Sequence, residues 1–338
     1  MSSVRSAKST IRDIATHAGV GAGTVSRVLN NHPHVSDSTR AKVLKAIEEL
    51  NYRPSFSARQ MRTGKSQVIG FITDEIASTQ FAVNIIKGAQ AVAWDYGKLV
   101  LVVNSDGNQA IEYEAIEMML ERGVDGIIYA SMFHRQAQLP DAIHEVPAVL
   151  VDCFLPDRSL PSVVPDEFGA AYEATEILIR KGHRRIGLIN LGGEAKPAIE
   201  GRLAGYTAAM QAHGLYDPNL IIHGGDEGAG GHGYVSAMEL MNRAERPTAI
   251  FCAQDRIAAQ AYRALHELSI AIPDEVAVMG FDNHIDVATT LSPPLSTMAL
   301  PHLEMGQWAV EYLLSGAGKP LEPVQVKLPC PYVERQSI

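Results

Sequence analysis

A chain of 338 residues, 46% hydrophobic and 20% charged, has room for two or three folded domains and is neither a disordered nor a fibrous composition. No stretch approaches the roughly 18 uninterrupted apolar residues of a membrane helix, and the opening MSSVRSAKS has no apolar run behind its basic residues. Cys153, Cys252 and Cys330 are too few and too scattered for a disulfide frame or a metal site, so a cytoplasmic protein with reduced thiols is expected. The net charge of −9 hides an asymmetry: residues 1–66 carry 11 Lys or Arg against 4 Asp or Glu, a net +7, and residues 67–338 carry 18 against 34, a net −16. The basic end suits phosphate binding, whereas DNA would repel the acidic remainder.

The first informative stretch is TIRDIATHAGVGAGTVSRVLN, residues 10–30. Ile14, Ala15 and Ala18 recur at helical spacing, Gly19 and Gly21 bracket a turn, and Val25, Val28 and Leu29 recur again, which predicts helix, turn, helix. Thr10 can cap the first helix, Asp13 puts negative charge in its first turn, and Gly21 is a weaker cap for the second. In such a unit the second helix enters the major groove. Its polar face of Thr24, Ser26, Arg27 and Asn30 holds no acid. Ser36 caps a third helix whose Val43, Ile47 and Leu50 close a small core. His32 and His34 flank Pro33 without the further ligands that zinc needs. Pro54 stops the third helix, and Ser55 can cap a short helix ending near Gly64 that is too short to be stable alone. TGKS at 63–66 looks like the tail of a phosphate loop, but Arg59, followed by Gln60, stands where the loop needs its first glycine, so no nucleotide cofactor is expected.

From Gln67 onward short β-branched runs alternate with helical segments. VIGFIT, LVLVV, GIIYA and AVLV are separated by helical stretches at 81–96, 109–122 and 134–145. RIGLIN, LII, TAIFC and VAVMG follow, with helices near 168–181, 200–213, 231–243 and 255–268. Two such halves predict two α/β lobes with parallel sheets and a cleft between them. Ligands of open α/β sheets bind beyond the carboxyl ends of strands, where Asp74, Asp152, Gln254, Asp255 and Asp282 fall, and Arg202 begins a helix in EGRLAGY. Carboxylates that accept from hydroxyls and one forked arginine suit a neutral polyol.

These motifs together resemble the LacI/GalR (lactose-repressor/galactose-repressor) family of bacterial transcription regulators. The matching residues are Asp13-Ile14-Ala15, Ala18-Gly19-Val20, Thr24 to Asn30, Val35-Ser36, Thr39-Arg40, Leu50 to Pro54 and Ala58-Arg59, and the likeness continues to the C-terminus. The resemblance implies an all-α helix-turn-helix headpiece, 1–52, a hinge, 53–66, and a two-lobed core, 67–338, like periplasmic sugar-binding proteins. Lobe 1 would take about 67–165 and 297–328, and lobe 2 about 166–296 and 329–338. It further implies a homodimeric repressor that binds double-stranded, palindromic operator DNA and answers to a small-molecule effector, a sugar, in the cleft. No cofactor, metal or membrane is implied.

The resemblance also assigns residues. The positions that open the recognition helix commonly read bases, and here they are Ala22 and Gly23, neither of which can donate a side-chain hydrogen bond. Arg27 is therefore best suited to guanine, with Ala22 at most touching a thymine methyl, while Thr24, Ser26 and Asn30 hold phosphates. Tyr52, Ala58 and Arg59 lie in DNA-binding segments, and Met61 stands where an apolar residue, commonly leucine, wedges into the minor groove. Arg202 and Asp282 match ligand-contacting positions, and Phe81 and Asp152 lie in cleft-lining segments. Gln254, Glu227 and Leu300 depart from the family's usual asparagine, aromatic and glutamine. A solute-binding receptor without a DNA role, a regulator of a nucleoside or other metabolite, and a sugar enzyme using Asp152 or Asp282 as base are the rivals. The basic first 66 residues disfavour the first, and the last lacks a nucleophile-base pair.

Overall fold

The computed structural model describes residues 9–29, 32–52, 65–80, 82–192, 197–224, 231–316 and 320–338. The chain divides into two compact units, residues 1–66 and 67–338. Among the described residues no helix is long and apolar enough to cross a membrane.

In the first unit, α1 (Ile11–Ala18), α2 (Ala22–Leu29) and α3 (Asp37–Glu49) form a three-helix cluster. Local chemistry sets each boundary. Thr10 accepts the Asp13 amide at 3.3 Å, and the Asp13 carboxylate accepts the Thr10 amide at 2.7 Å, so two orphan donors are satisfied reciprocally. Gly19 ends α1 at φ +65°, a left-handed conformation that a side chain would oppose. The Gly21 carbonyl accepts from Thr24 and Val25 at the start of α2, and the Ser36 hydroxyl accepts the Thr39 amide at α3. Ile14, Val25 and Val43 are fully buried at the centre, with Val28, Ala46 and Tyr52 around them.

The second unit holds two sheets. The first contains β1 (Val68–Thr73), β2 (Leu99–Asn104), β3 (Gly126–Gln136), β4 (Ala148–Phe154) and β5 (Ser162–Pro165). Late in the chain β11 (Gln325–Leu328) completes it, in the order β11-β5-β4-β3-β1-β2 with every pairing parallel. On one face lie α4 (Val83–Asp95) and α11 (His302–Ser315), pressed together where Gly88 faces the Leu303 backbone and Gly306 the Ile85 backbone. On the other lies α5 (Gln109–Glu121).

The second sheet contains β6 (Ile186–Asn190), β7 (Ile221–His223), β8 (Ala249–Cys252), β9 (Ala277–Asp282), β10 (Ser296–Ala299) and β12 (Tyr332–Val333). Their order is β12-β10-β9-β8-β6-β7, parallel except for β12, which runs antiparallel to β10. Around it are α6 (Glu167–Arg180), α7 (Pro197–Ala212), α8 (Gly233–Met241), α9 (Asp255–Glu267) and the short α10 (Ile285–Ala288). The chain therefore crosses between sheets three times, after β5, β10 and β11.

Two sequence expectations need correction. The stretch 134–145 is not one helix, because β3 runs on to Gln136 and only a 3-10 turn forms at Asp141–Glu145. The reason is tertiary: Asp74 accepts the Met132 amide at 2.9 Å, and Arg135 and Gln136 pair with Cys153 and Phe154 of β4. Lobe 1 does not resume at 297, since β10 pairs with β9 in the second sheet and the crossing follows Ala299. The four-residue β5, framed by Pro161 and Pro165, adds a strand that the apolar runs did not single out.

Candidate functional site

On the first unit, α2 turns Val25 and Val28 inward, which leaves Ala22, Gly23 and Arg27 exposed and Thr24 and Ser26 half-buried. A Cβ added at Gly23 would meet nothing within 4 Å, so this end of the helix is an open surface. No acidic residue lies in the first turn of α2, and Arg27 is in its last. Tyr52, expected among the DNA-binding residues, is instead 8% exposed in the core, because its ring fills the space between the three helices. Asn30, Ala58, Arg59, Met61 and residues 53–64 of the expected hinge lie outside the described residues, as do Phe81 and Glu227.

In the second unit, the candidate residues gather at the carboxyl ends of the strands. Asp74 follows β1 and accepts from the Ser131 hydroxyl at 2.8 Å, the Met132 amide at 2.9 Å, the Glu75 amide at 2.7 Å and Arg135 Nη2 at 3.2 Å. Arg135 in turn donates to Ser131 Oγ and Tyr129 Oη. This lobe-1 group fixes both the carboxylate and the guanidinium that opposes it. The sequence reading did not single out Arg135, which sits in the stretch taken for a helix, or Ser131 just before it.

The lobe-2 group is built on two helices that approach closely. Gly201 and Gly205 lie one turn apart on α7, where added Cβ atoms would press into Glu167 and into the Phe168 and Tyr172 backbone of α6. That closeness lets Glu167 reach Arg202. Oε2 accepts Nε at 2.7 Å, Oε1 accepts Nη2 at 3.4 Å, and both side chains are 5% exposed. Nη1 donates to the Ala253 carbonyl and to Asp282 Oδ1 at 3.4 Å, and the guanidinium lies 3.8 Å from the Phe281 ring centre. Asp282 is the last residue of β9, at φ +111°. Burial pushes its carboxyl well above the usual range against the pull of Arg202.

Asp152, in β4 at φ +54°, stands between the two groups. It is buried, and its Oδ1 has no hydrogen-bond partner. Burial raises its pKa strongly and the Glu167 charge adds to that, while Arg202 and Arg135 work against it and Asp74 with it. Burial thus favours the neutral form of this carboxyl, which can both donate and accept, as a hydroxylated ligand asks of a buried site. Nearby, His134 Nδ1 is also buried without a partner, and burial lowers this imidazole to about 4, so the ring is neutral at pH 7. The His134 ring meets Phe154 edge-on, and Arg158 covers Phe154 at 3.5 Å.

Asp255 does not join this group. It is fully buried, and its two oxygens accept the Thr297 hydroxyl and the His284 amide, both at 2.7 Å, tying α9 to β10 and to the loop after β9. Burial raises it to about 7. With one hydrogen bond on each oxygen and no exposed surface, this carboxyl holds lobe-2 elements together. Gln254 precedes α9 as its cap residue, is 8% exposed, and makes no side-chain capping bond. Among the described residues no group of three or more His, Cys, Asp or Glu is arranged to hold a metal.

Comparison with known proteins agrees with this division. The model described as bacterial regulatory proteins, lacI family, matches residues 10–55, and that of the periplasmic binding protein-like domain matches residues 175–338. The ribose operon repressor of Haemophilus influenzae is 32% identical over 93% of this chain and 93% of its own. The sucrose operon repressor of Escherichia coli is 33% identical over 97% of this chain and 99% of its own. The crystal structure of the lac repressor dimer bound to operator and the anti-inducer ONPF is 27% identical, with a TM-score of 0.79 over 98% of this chain and 99% of that one.

Proposed function

The chain belongs to the lacI family of bacterial regulatory proteins, and from that membership we propose that it is an effector-controlled repressor whose dimer binds a two-fold operator. Each α2 enters a major groove, with half-sites about one helical turn apart. Arg27 is the base-reading side chain, Thr24, Ser26 and Asn30 hold phosphates, and residues 53–66, with Met61, act as the hinge. Trp94, which is 75% exposed, and Tyr96, Leu99 and Leu101 make an apolar surface on one edge of lobe 1 of the kind a second copy covers.

The effector is a sugar held between the lobes. The observation that carries this reading is Asp152, a buried carboxyl with an unpartnered oxygen between the Asp74–Arg135 and Glu167–Arg202 pairs. An unsatisfied buried polar atom costs about 1 to 3 kcal/mol, and a ligand hydroxyl relieves that cost. The ribose and sucrose operon repressors and a regulator solved with cellobiose, all similar to this chain, support a sugar without naming one.

The test begins with operator selected from random duplexes by the purified protein. Operator affinity is then measured by fluorescence anisotropy with pentoses, hexoses, disaccharides and nucleosides. One sugar is expected to change affinity at least about fivefold, the lower end of allosteric coupling. A response to a nucleoside and to no sugar overturns the effector assignment and keeps the regulator. Failure to select any duplex overturns both.

A further inference from the structure

The guanidinium of Arg202 is held the way an anionic ligand would hold it. Glu167 takes Nε and Nη2 in a two-legged pairing, and Ala253 and Asp282 take Nη1, so these acceptors engage four of the five N–H groups an arginine offers. Phe281 lies across the guanidinium face. The other buried titratable groups are mostly carboxyls, Asp74, Asp152, Glu167 and Asp282 against Arg135 and Arg202, and burial already disfavours negative charge on Asp152 and Asp282.

An entering carboxylate or phosphate would find the fork of Arg202 closed by a carboxylate of the chain itself, and would face Asp152 and Asp282 besides. A ligand hydroxyl meets no such penalty, because a neutral donor can serve Asp152 without displacing Glu167. We infer that Glu167 sets the charge class of the effector, closing the Arg202 fork to carboxylate- and phosphate-bearing ligands and reserving the cleft for ligands without net negative charge. The inference rests on reading the interlobe cleft as the effector site. Glu167 is placed for this role by Gly201 and Gly205, which bring α6 against α7.

The experiment follows thermal unfolding of the full-length protein with D-glucuronate, D-glucose 6-phosphate, inorganic phosphate and D-glucose at matched ionic strength. No anion stabilises the wild type saturably. Glu167→Gln keeps the size of the side chain and removes its charge, and is expected to gain at least tenfold in affinity for glucuronate or phosphate. Glu167→Gln combined with Arg202→Gln loses that gain, which places it at the fork rather than on the surface. Should Glu167→Gln fail to fold, Glu167→Asp, one methylene shorter, frees the Nη2 leg and is expected to gain a smaller anion stabilisation. Saturable stabilisation of the wild type by any of the anions overturns the inference, as does the absence of a gain in the variant that folds. The anion gain is read without operator, so it stands or falls separately from the sugar response measured by operator affinity.

Discussion

Gly205→Ala tests whether close approach of α6 and α7 builds the lobe-2 site. The new Cβ would lie 2.8 Å from the Tyr172 amide nitrogen and 2.9 Å from Ala171 Cβ, and closer still to the Phe168 carbonyl, where ordinary contact lies at 3.4–4 Å. Two of these three obstacles are backbone, so the helices must separate by about half an ångström to 1 Å. A gap of that size forfeits roughly a quarter to a half of each dispersion contact across it. Overpacking of this kind costs about 1 to 3 kcal/mol, while alanine's helix propensity returns up to about 1 kcal/mol. The net expectation is a loss of about 1 to 2 kcal/mol from the core. Urea unfolding followed by tryptophan fluorescence reads it selectively, because both tryptophans, Trp94 and Trp308, are in the second unit. Gly23→Ala is the contrasting case: it lies in α2 with open space beyond it and should stabilise the first unit by up to about 1 kcal/mol. An unchanged or raised core midpoint for Gly205→Ala would refute the reasoning.

Arg27→Ala should weaken operator binding by about 1 to 3 kcal/mol and remove discrimination at one base pair, as measured against a set of single-substitution operators; a uniform loss across that set would make Arg27 a phosphate contact. Arg202→Met should cost the core about 3 to 5 kcal/mol by leaving Glu167 buried without its partner, and Arg202→Met with Glu167→Gln should recover more than half of that; no recovery in urea unfolding would mean that the pair is not what holds these helices. Asp255 has a folded-state pKa of about 7, above its unfolded value, so its protonated form favours the native state and that contribution fades as pH rises from about 4 to 7. The stability advantage of wild type over Asp255→Asn should therefore shrink across that window, and a gap that widens would contradict the assignment.

The parts of the fold legible in the sequence are those set by neighbours along the chain. Thr10 with Asp13, Gly19 and Ser36 announce helix ends because a cap bonds within three or four residues, and alternation of apolar runs with helical segments announces parallel sheets. What could not be read depends on distant partners. β3 extends past Ser131 because Asp74, 57 and 58 positions earlier, bonds the Ser131 hydroxyl and the Met132 amide. Asp255 and Asp282 look alike as aspartates near strand ends, and only Thr297 and the His284 amide separate a structural carboxylate from one beside Arg202. Glu167 carried no signal of its own next to the helix-capping Asp166, since its role depends on two glycines of a helix 34 residues on. Tyr52 sits in a motif that suggests DNA contact, but its ring goes to the apolar interior of a unit too small to leave it out.

The two strands contributed by residues 325–333 have a consequence for how the protein is made. β11 closes the edge of the first sheet beside β5, and β12 closes the second beside β10, with Ser337 bonding Val278 and Ser296 behind it. Neither lobe is a continuous length of chain. During synthesis the first unit can fold as soon as it emerges, whereas both lobes wait for the same closing segment and hold an open sheet edge until it arrives. A frameshift near residue 320 thus removes a strand from each lobe at once, and no single cut in the core releases an intact lobe.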